Sequence, residues 1–270
     1  MAQIRLDELA ANQLNISVKE AAALIMEGRI WIGAVPADKP GTAVAENTVL
    51  TRREKAKKYA SRSGYKLEKA LKCFCIDPTG RTVCDIGASN GGFTDCLLQN
   101  GASRVFAVDV AYGILAWELR NNEHVTVLER TNARNLTAND LGGTICDMVT
   151  VDVSFISLKK IFPAIHRILK DGGEVVTLIK PQFEAKKQEL GKNGILRDAA
   201  ATLPSLLAEI FTAAAENGLA VKALTVSPIH GTNGNVEYLA HYRHSADLTE
   251  AQPNAWADMI ADAMQAQPDM

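Results

Sequence analysis

The sequence is most constrained where an apolar segment runs directly into a glycine-rich loop. Residues 82–86 (TVCDI) are typical of a buried strand, and the residues GASNGGF follow at once. Gly87, Gly91 and Gly92 allow the backbone to turn tightly and to approach a ligand closely. A helical pattern comes next, and Asp109 ends the following apolar segment, 22 residues after Gly87. Together these features predict the ligand-binding edge of an open α/β sheet.

Strand and helix patterns alternate from about residue 80 onward. This alternation predicts a doubly wound sheet with helices on its faces. The last two strands are separated by residues 228–235, too few for a helical crossover, so we expect them to pair antiparallel. The predicted fold class is α/β, Rossmann-like, with a seven-stranded and mostly parallel sheet. The predicted strands are residues 82–86, 104–110, 125–128, 148–153, 174–179, 220–227 and 236–242.

A smaller module precedes the sheet. Residues 4–26 show the apolar spacing of two short helices, with Ser17 as an N-cap and Glu20 as its capping-box partner. Residues 29–32 and 48–50 are predicted to be strands, and the apolar spacing near the C-terminus predicts a docking helix. We expect a small α+β domain (1–56), a linker (57–63), the α/β domain (64–244) and a helical tail (245–270).

Charge is distributed unevenly along the chain. Residues 1–72 hold 13 Lys and Arg against 8 Asp and Glu, whereas the remainder holds 16 against 23. The basic excess is concentrated in residues 51–72, with 9 basic and 2 acidic residues. A cationic segment joined to an acidic body is typical of a protein that binds a phosphate backbone, although a solvated helix face has the same composition.

Composition excludes several classes of protein. The chain is 47% hydrophobic and 22% charged, which is typical of globular domains. Apolar runs stay well short of the roughly 18 residues that a membrane-spanning helix needs. The five cysteines are odd in number and lie mostly in apolar stretches, as expected for free thiols in a reducing compartment. We therefore expect a cytoplasmic protein without a metal site.

The spacing of the glycines distinguishes between two cofactors. Nicotinamide dinucleotide sites favour the pattern G-x-G-x-x-G. This loop has the pattern D-x-G-x-x-x-G-G, and Ser89 stands where the second glycine of the dinucleotide pattern would be. An acidic residue at the head of the loop, Asp85, suits a cofactor that carries an amino group and a cation. The pattern therefore favours S-adenosylmethionine (SAM), and a dinucleotide stays open as the alternative.

Six motifs resemble the TlyA family, which is known both as hemolysin A and as an rRNA 2′-O-methyltransferase family. The resemblance implies an S4-type RNA-binding domain followed by an FtsJ-like, SAM-dependent methyltransferase domain. It also implies cytidine 2′-O-methylation in 16S rRNA, 23S rRNA or both, with rRNA in ribosomal subunits as the partner. The motifs are SRSGYKL (61–67), DIGASNGGFTDCLL (85–98), LERTNAR (128–134), DVSFISL (152–158), IKPQFE (179–184) and GNVEY (234–238).

The family's catalytic pattern of Lys, Asp, Lys and Glu falls on Lys66, Asp152, Lys180 and Glu237. A ribose 2′-hydroxyl must lose its proton as it is methylated, so a base is needed. Two lysines that converge in a partly dry site should favour the neutral form of one of them. We expect Lys180 to be the base and Lys66 to supply a neighbouring positive charge. Asp152 is expected to fix Lys180, and Glu237 to orient the lysines.

Two further sets of residues are predicted to bind ligands. The candidate cofactor residues follow the predicted strands and are Asp85, Gly87, Ala88, Ser89, Gly91, Gly92, Phe93, Asp109, Asn132 and Asp152. The candidate RNA-binding residues are the cations of the N-terminal module and the linker: Arg5, Lys19, Arg29, Lys39, Arg52, Arg53, Lys57, Lys58 and Arg62. Their phosphate contacts would position the protein without reading the base sequence.

Two other functions stay open at this point. A ribosome-binding factor without catalysis would share the cationic segment but would not need the Lys-Asp-Lys-Glu set. A membrane-active hemolysin would need an inserting segment, and the acidic helical pattern near the C-terminus does not favour binding to anionic lipid.

Overall fold

The computed structural model describes residues 3–26, 28–33, 35–37, 39–53, 58–192, 194–245 and 253–266. The chain divides into two compact units, Met1–Lys58 and Tyr59–Met270.

The first unit is a small α+β structure. Its elements are β1 (Gln3–Arg5), α1 (Leu6–Leu14), α2 (Val18–Met26), β2 (Ile30–Ile32), β3 (Val35–Pro36), β4 (Ala43–Ala45) and β5 (Leu50–Arg52). β1 pairs antiparallel with β4, and β2 lies between β3 and β5. Ser17 caps α2 as predicted, since its Oγ accepts a hydrogen bond from Glu20 N at 3.2 Å. The first predicted helix begins later than expected because residues 3–5 pair as a strand.

The second unit contains a single large sheet with helices on its faces. Its helices are α3 (Ser63–Cys73), α4 (Gly92–Gln99), α5 (Trp117–Arg120), α6 (Phe162–Ile168), α7 (Pro181–Glu184), α8 (Ala199–Ala215) and α9 (Pro253–Gln265). Its strands are β6 (Thr82–Ile86), β7 (Arg104–Val108), β8 (Val125–Leu128), β9 (Cys146–Val151), β10 (Leu169–Ile179), β11 (Leu219–Val226) and β12 (Tyr238–His244).

The seven strands lie in the order β11-β12-β10-β9-β6-β7-β8. β12 pairs antiparallel with β10 and β11, and the other neighbouring pairs are parallel. The predicted fold class is therefore confirmed, including the antiparallel pairing of the last two strands. Because β6, β9 and β10 end at the same edge of the sheet, Gly87, Asp152 and Lys180 are brought to that edge.

The boundaries of several predicted elements differ from those in the structure. The apolar spacing of residues 158–169 predicts one helix, but the segment is divided into a 3-10 turn (Leu158–Lys160) and α6, because Pro163 starts a new helix at its N-terminus. β10 begins at Leu169 instead of residue 174, with an irregular register between Leu169 and Glu174. Neither change moves the carboxyl ends of the strands, where the ligand-binding edge lies.

The C-terminal helix α9 packs on the edge of the sheet. Its apolar side chains Trp256, Ile260 and Ala263 are buried against α8 and β11. The Trp256 ring meets the Phe211 ring edge-on, with centroids 5.5 Å apart. Residues 246–252 and 267–270 of the expected tail lie outside the described residues.

Candidate functional site

The glycine loop between β6 and α4 requires its glycines. Gly87 (φ 85°) and Gly91 (φ 93°) adopt left-handed conformations that other residues rarely tolerate. A Cβ atom at Gly87 would overlap the carbonyl of Asp152, and one at Gly91 would overlap the side chain of Leu119. The loop therefore packs directly against the segment that follows β9.

Asp109 fixes the other side of this loop. Its Oδ2 accepts a hydrogen bond from Ser89 N and its Oδ1 accepts one from Ala111 N, both at 2.8 Å. The carboxylate lies just beyond the end of β7, where its remaining lone pairs can accept hydrogen bonds from a ligand's hydroxyl groups.

A cavity of about 500 Å³ opens in front of the loop. Five of the candidate cofactor residues line it: Gly87, Ser89, Asp109, Asn132 and Asp152. Its walls also include apolar side chains that sequence reasoning did not select, namely Val108, Val110, Ile114, Val153, Ile156 and Ile161. The lining therefore combines polar groups with apolar side chains, which suits a nucleoside.

A second cavity of about 240 Å³ shares Gly87, Ser89 and Asp152 with the first. All four residues of the predicted catalytic set line it: Lys66, Asp152, Lys180 and Glu237. Ala88 and Phe93 also line it, together with Ser61, Arg62, Ser63 and Gly231. The structure therefore brings the catalytic set together beside the glycine loop.

One lysine of this set is sealed in an ion pair. Lys66 Nζ lies 2.5 Å from Glu237 Oε2, and the two residues are 6% and 3% exposed. The pair joins α3 to the loop that precedes β12. Gly231 is required beside it, since a Cβ atom there would overlap the Glu237 carboxylate. A buried charge is tolerated when it is paired in this way.

The other lysine is more accessible. Lys180 Nζ lies 2.7 Å from Asp152 Oδ1, and their side chains are 12% and 15% exposed. The contact with Asp152 is an ion pair without hydrogen-bond alignment, and Nζ instead donates its hydrogen bond to Ser154 Oγ at 2.9 Å. Lys180 and Asp152 follow the ends of β10 and β9, so the sheet itself sets their separation. The sequence reasoning missed Ser154, although it lies in the DVSFISL motif.

A third cavity, of about 530 Å³, shares Lys180 and Glu237 with the second. The rings of Phe155 and Phe183 line it with their centroids 4.9 Å apart. Phe155 is 90% exposed and has a positive φ of 63°, an unusual combination for a large apolar residue. Sequence reasoning did not select either ring, although both lie within recognised motifs.

The structure does not bring Asp85 into these cavities. Its side chain is fully buried, and its oxygens accept hydrogen bonds from Thr94 Oγ1 at 2.6 Å and Thr150 Oγ1 at 2.9 Å. Burial raises the pKa of this carboxyl to about 6, against the lowering effect of the two hydroxyl groups. Gly91 and Gly92 also lie behind the cleft, where Gly92 leaves room for the Ser61 and Ser63 hydroxyl groups. Asp85, Gly91 and Gly92 therefore stabilise the conformation of the loop and do not line either of the first two cavities.

The predicted RNA-binding cations differ in their surroundings. Arg29 is half-buried, and Arg5 forms an ion pair with Asp7 at 2.6 Å. The Arg53 guanidinium lies over the Trp31 ring, 3.9 Å from its centroid. Lys57 lies outside the described residues. The exposed members of the set are Arg5, Lys19, Lys39, Arg52, Arg53, Lys58 and Arg62.

The described residues lack two other kinds of feature. In the part of the chain that the structure describes, no three or more His, Cys, Asp or Glu residues are grouped so as to hold a metal ion. Within the same residues, no helix has the length and apolar character needed to cross a membrane.

Comparison with known proteins agrees with the geometry. The family model of FtsJ-like methyltransferases matches residues 59–244. The chain is 43% identical over 241 residues to the 16S/23S rRNA (cytidine-2′-O)-methyltransferase TlyA of Mycobacterium tuberculosis, covering 89% of each protein. It is 37% identical to Hemolysin A of Brachyspira hyodysenteriae, covering 88% of this chain and 99% of that one. A solved protein of Streptococcus thermophilus, described as a candidate hemolysin, is 39% identical with a TM-score of 0.72, covering 98% of this chain and 97% of its own.

Proposed function

Since this chain belongs to the TlyA family of FtsJ-like methyltransferases, we propose that it methylates the ribose 2′-hydroxyl of a cytidine in rRNA. The observation that carries this proposal is the convergence of Lys66, Asp152, Lys180 and Glu237 in a cavity that adjoins the glycine-loop cavity. The relative from Mycobacterium tuberculosis is named for both 16S and 23S rRNA, and we propose one or both as acceptors here. Such an enzyme acts where ribosomes are made, in the cytoplasm.

The cavity of about 500 Å³ in front of the glycine loop fits S-adenosylmethionine. Gly87 and Ser89 expose backbone at its floor, Asp109 can accept hydrogen bonds from ribose hydroxyls, and Asn132 can meet the edge of an adenine. Val110 and Ile114 supply apolar faces for the base. When bound, this cofactor supplies an electrophilic methyl group on a sulfonium. Asp152 lines both cavities, so it would contact both the cofactor and the acceptor ribose.

Lys180 is the lysine available to take the proton. Lys66 is sealed against Glu237, whereas Lys180 reaches the cavity with only partial burial. Lys180 first loses a proton to solvent, and its neutral Nζ would then accept the 2′-hydroxyl proton. The 2′-oxygen would gain the methyl group as the bond from that group to sulfur breaks. Asp152 stabilises the ammonium that results, and Ser154 fixes Nζ in place. The Lys66 ammonium strengthens the positive field at the developing alkoxide.

The aromatic cavity fits the nucleobase of the acceptor. Phe155 and Phe183 present ring faces next to Lys180, and stacking on aromatic rings is the usual way to hold an unstacked base. A nucleotide buried in an rRNA helix must leave its stack to place its ribose in a closed site. We therefore propose that the acceptor nucleotide enters from the side of Phe155.

The first unit and the linker are proposed to hold the RNA backbone. The exposed cations of residues 5–62, with the Arg53–Trp31 stack among them, are suited to phosphates and sugars. We propose that this unit is an S4-type RNA-binding domain. Its contribution should weaken steeply with salt, because each neutralised phosphate releases counterions. An affinity for ribosomal subunits that is insensitive to salt would contradict this part of the proposal.

The decisive experiment measures transfer of labelled methyl groups from S-adenosylmethionine to purified 30S and 50S subunits from cells that lack the enzyme. Lys180→Ala should abolish labelling while S-adenosylmethionine affinity, measured by calorimetry, is retained. Lys170→Ala is the matched control, because Lys170 lies at the other end of β10 and pairs with Asp147 at 2.6 Å. The labelled subunit identifies the acceptor rRNA.

Two outcomes would reject the proposal. Wild-type protein that binds S-adenosylmethionine but labels neither subunit would favour a ribosome-binding role without catalysis. Leakage of liposomes at the protein concentrations used for methylation would favour the hemolysin reading suggested by the name of the Brachyspira relative.

A further inference from the structure

A side-chain bridge links the two segments that carry the catalytic residues. Glu184 lies at the end of α7, the turn that follows Lys180. Its Oε2 accepts a hydrogen bond from Ser157 Oγ at 2.6 Å, and its Oε1 accepts one from Leu158 N at 2.8 Å. Ser157 and Leu158 belong to the segment after β9 that begins with Asp152 and Ser154. Glu184 therefore ties the Lys180 segment to the Asp152 segment at a second point.

The α7 turn makes this bridge stiff on the Lys180 side. Pro181 fixes the start of the turn. Phe183 N donates to Lys180 O and Ala185 N donates to Pro181 O, both at 2.9 Å. The backbone from Lys180 to Glu184 is therefore held as one unit.

The bridge is also stiff on the Asp152 side. Ser157 caps the 3-10 turn (Leu158–Lys160) by accepting a hydrogen bond from Lys159 N at 3.2 Å. Leu158 is 1% exposed and belongs to the core. Glu184 thus anchors on a capped and buried turn, and a shift of that turn would carry Ser154 and Asp152 with it.

The Lys180–Ser154 hydrogen bond of 2.9 Å completes a closed ring of contacts. The ring runs from Lys180 through α7 to Glu184, across to Ser157, and back along the chain to Ser154. Both oxygens of the Glu184 carboxylate accept, one from a hydroxyl group and one from a backbone N–H. Alanine removes both acceptors and breaks the bridge, whereas glutamine could still accept from Leu158 N and donate to Ser157 Oγ.

We propose that Glu184 is a positioning residue for methyl transfer, which holds Lys180 at the distance from Asp152 and Ser154 that proton transfer requires. This inference rests on the proposed function of Lys180. Glu184 does not line the cavity that holds the catalytic set, so it acts through Lys180. A misplacement of about 1 Å can lower a rate by about 10²-fold, which sets the scale of the expected effect.

The test compares Glu184→Ala with Glu209→Ala in the methyl-transfer assay. Glu209 binds Lys159 of the same 3-10 turn at 2.9 Å, so its variant removes a contact from that turn without touching Ser157 or Leu158. Glu184→Ala should lower kcat by roughly 10- to 100-fold, leave KM for S-adenosylmethionine within about twofold, and shift the limb of the pH–rate profile that Lys180 sets. Glu209→Ala should match wild-type protein in all three measurements.

Variants of Ser157 provide a second measurement that does not depend on the fate of the Glu184 variant. Ser157→Ala removes one of the two bonds and should lower kcat, whereas Ser157→Thr keeps the hydroxyl group and should restore it. Thermal unfolding is recorded for every variant, so that a loss of folded protein is separated from a loss of rate.

The inference is overturned if Glu184→Ala retains the wild-type kcat, or if its kcat falls with the melting temperature while the pH–rate profile is unchanged. Equal kcat values for Ser157→Ala and Ser157→Thr would also overturn it. Absence of transfer by wild-type protein is a distinct result, which rejects the proposed function and this inference with it.

Discussion

Replacing Asp85 with asparagine should stabilise the protein at neutral pH. Asp85 is fully buried at the end of β6, and burial raises its pKa from 3.8 to about 6. The hydroxyl groups of Thr94 and Thr150 lower the pKa and the nearby Asp152 carboxylate raises it, but burial is the largest cause. Asparagine has the same shape, carries no charge, and can exchange hydrogen bonds with both threonines.

The sign of the effect follows from where the proton binds more tightly. A carboxyl group with a raised pKa in the folded chain keeps its proton longer there than in the unfolded chain. Its contribution to the free energy of unfolding is therefore complete below about pH 4 and is lost as the pH rises through about 6. Each pKa unit corresponds to about 1.4 kcal/mol, so the rise amounts to about 3 kcal/mol in total.

Urea unfolding of both proteins at about pH 4.5 and about pH 7.5 measures this effect. The wild-type free energy of unfolding should fall across that window by about 2 kcal/mol more than that of Asp85→Asn. The affinity for S-adenosylmethionine should stay within about twofold, because Asp85 lies outside the cofactor cavity. An identical pH dependence in the two proteins would refute the argument from burial. A large loss of affinity would show that Asp85 contacts the cofactor after all.

Three further predictions concern the buried ion pair and the tail. Glu237→Ala should lower the free energy of unfolding, measured in urea, by about 3–5 kcal/mol, because it leaves Lys66 buried without its partner. The double variant Lys66→Met, Glu237→Ala should recover part of the lost free energy of unfolding. Gly231→Ala should lower the methyl-transfer rate and destabilise by about 1–3 kcal/mol, since its Cβ atom displaces Glu237; a wild-type rate would contradict this. Trp256→Ala should cost about 3–5 kcal/mol in thermal unfolding without changing S-adenosylmethionine affinity, because the ring is buried on Phe211.

The fold could be predicted from the sequence because its signals are local. Apolar segments bounded by turns marked all seven strands of the large sheet, and the short 228–235 connection required the antiparallel pairing of β11 and β12. The missed details are those set by distant partners. Residues 3–5 become a strand only because residues 43–45 lie beside them, and no local pattern contains that information.

Two aspartates show the same limit within the site. Both Asp85 and Asp109 end apolar segments next to the glycine loop, so the sequence favours both as ligand-binding residues. Strands β6 and β7 pair up to Ile86 and Val108. Asp85 lies within this paired region, opposite Ala107, whereas Asp109 lies one residue beyond it. That difference buries the first carboxylate under two threonines and leaves the second at the cavity. Strand ends are uncertain by one or two residues, which is the displacement that matters here.

The catalytic set came from matching motifs, and only one of its two pairings could be read from the sequence. The sequence reasoning expected Asp152 to hold Lys180, and the two form an ion pair. It expected Glu237 to orient both lysines, whereas Glu237 pairs with Lys66. Lys66 and Glu237 are 171 residues apart and meet only because α3 and the loop before β12 pack together. Ser154 and Glu184 were missed for the same reason, because their roles depend on side-chain direction.

The two ion pairs differ in one property that bears on catalysis. Side chains of the Lys66–Glu237 pair are 7% and 3% exposed, against 12% and 15% for the Lys180–Asp152 pair. A sealed pair cannot exchange a proton with a substrate unless its partner is displaced, and that displacement would leave a buried charge unpaired. The more open pair can release and accept a proton while Asp152 and Ser154 hold the nitrogen in place. The roles that we propose for the two lysines therefore follow from their burial: Lys66 would provide a fixed charge, and Lys180 would carry the proton.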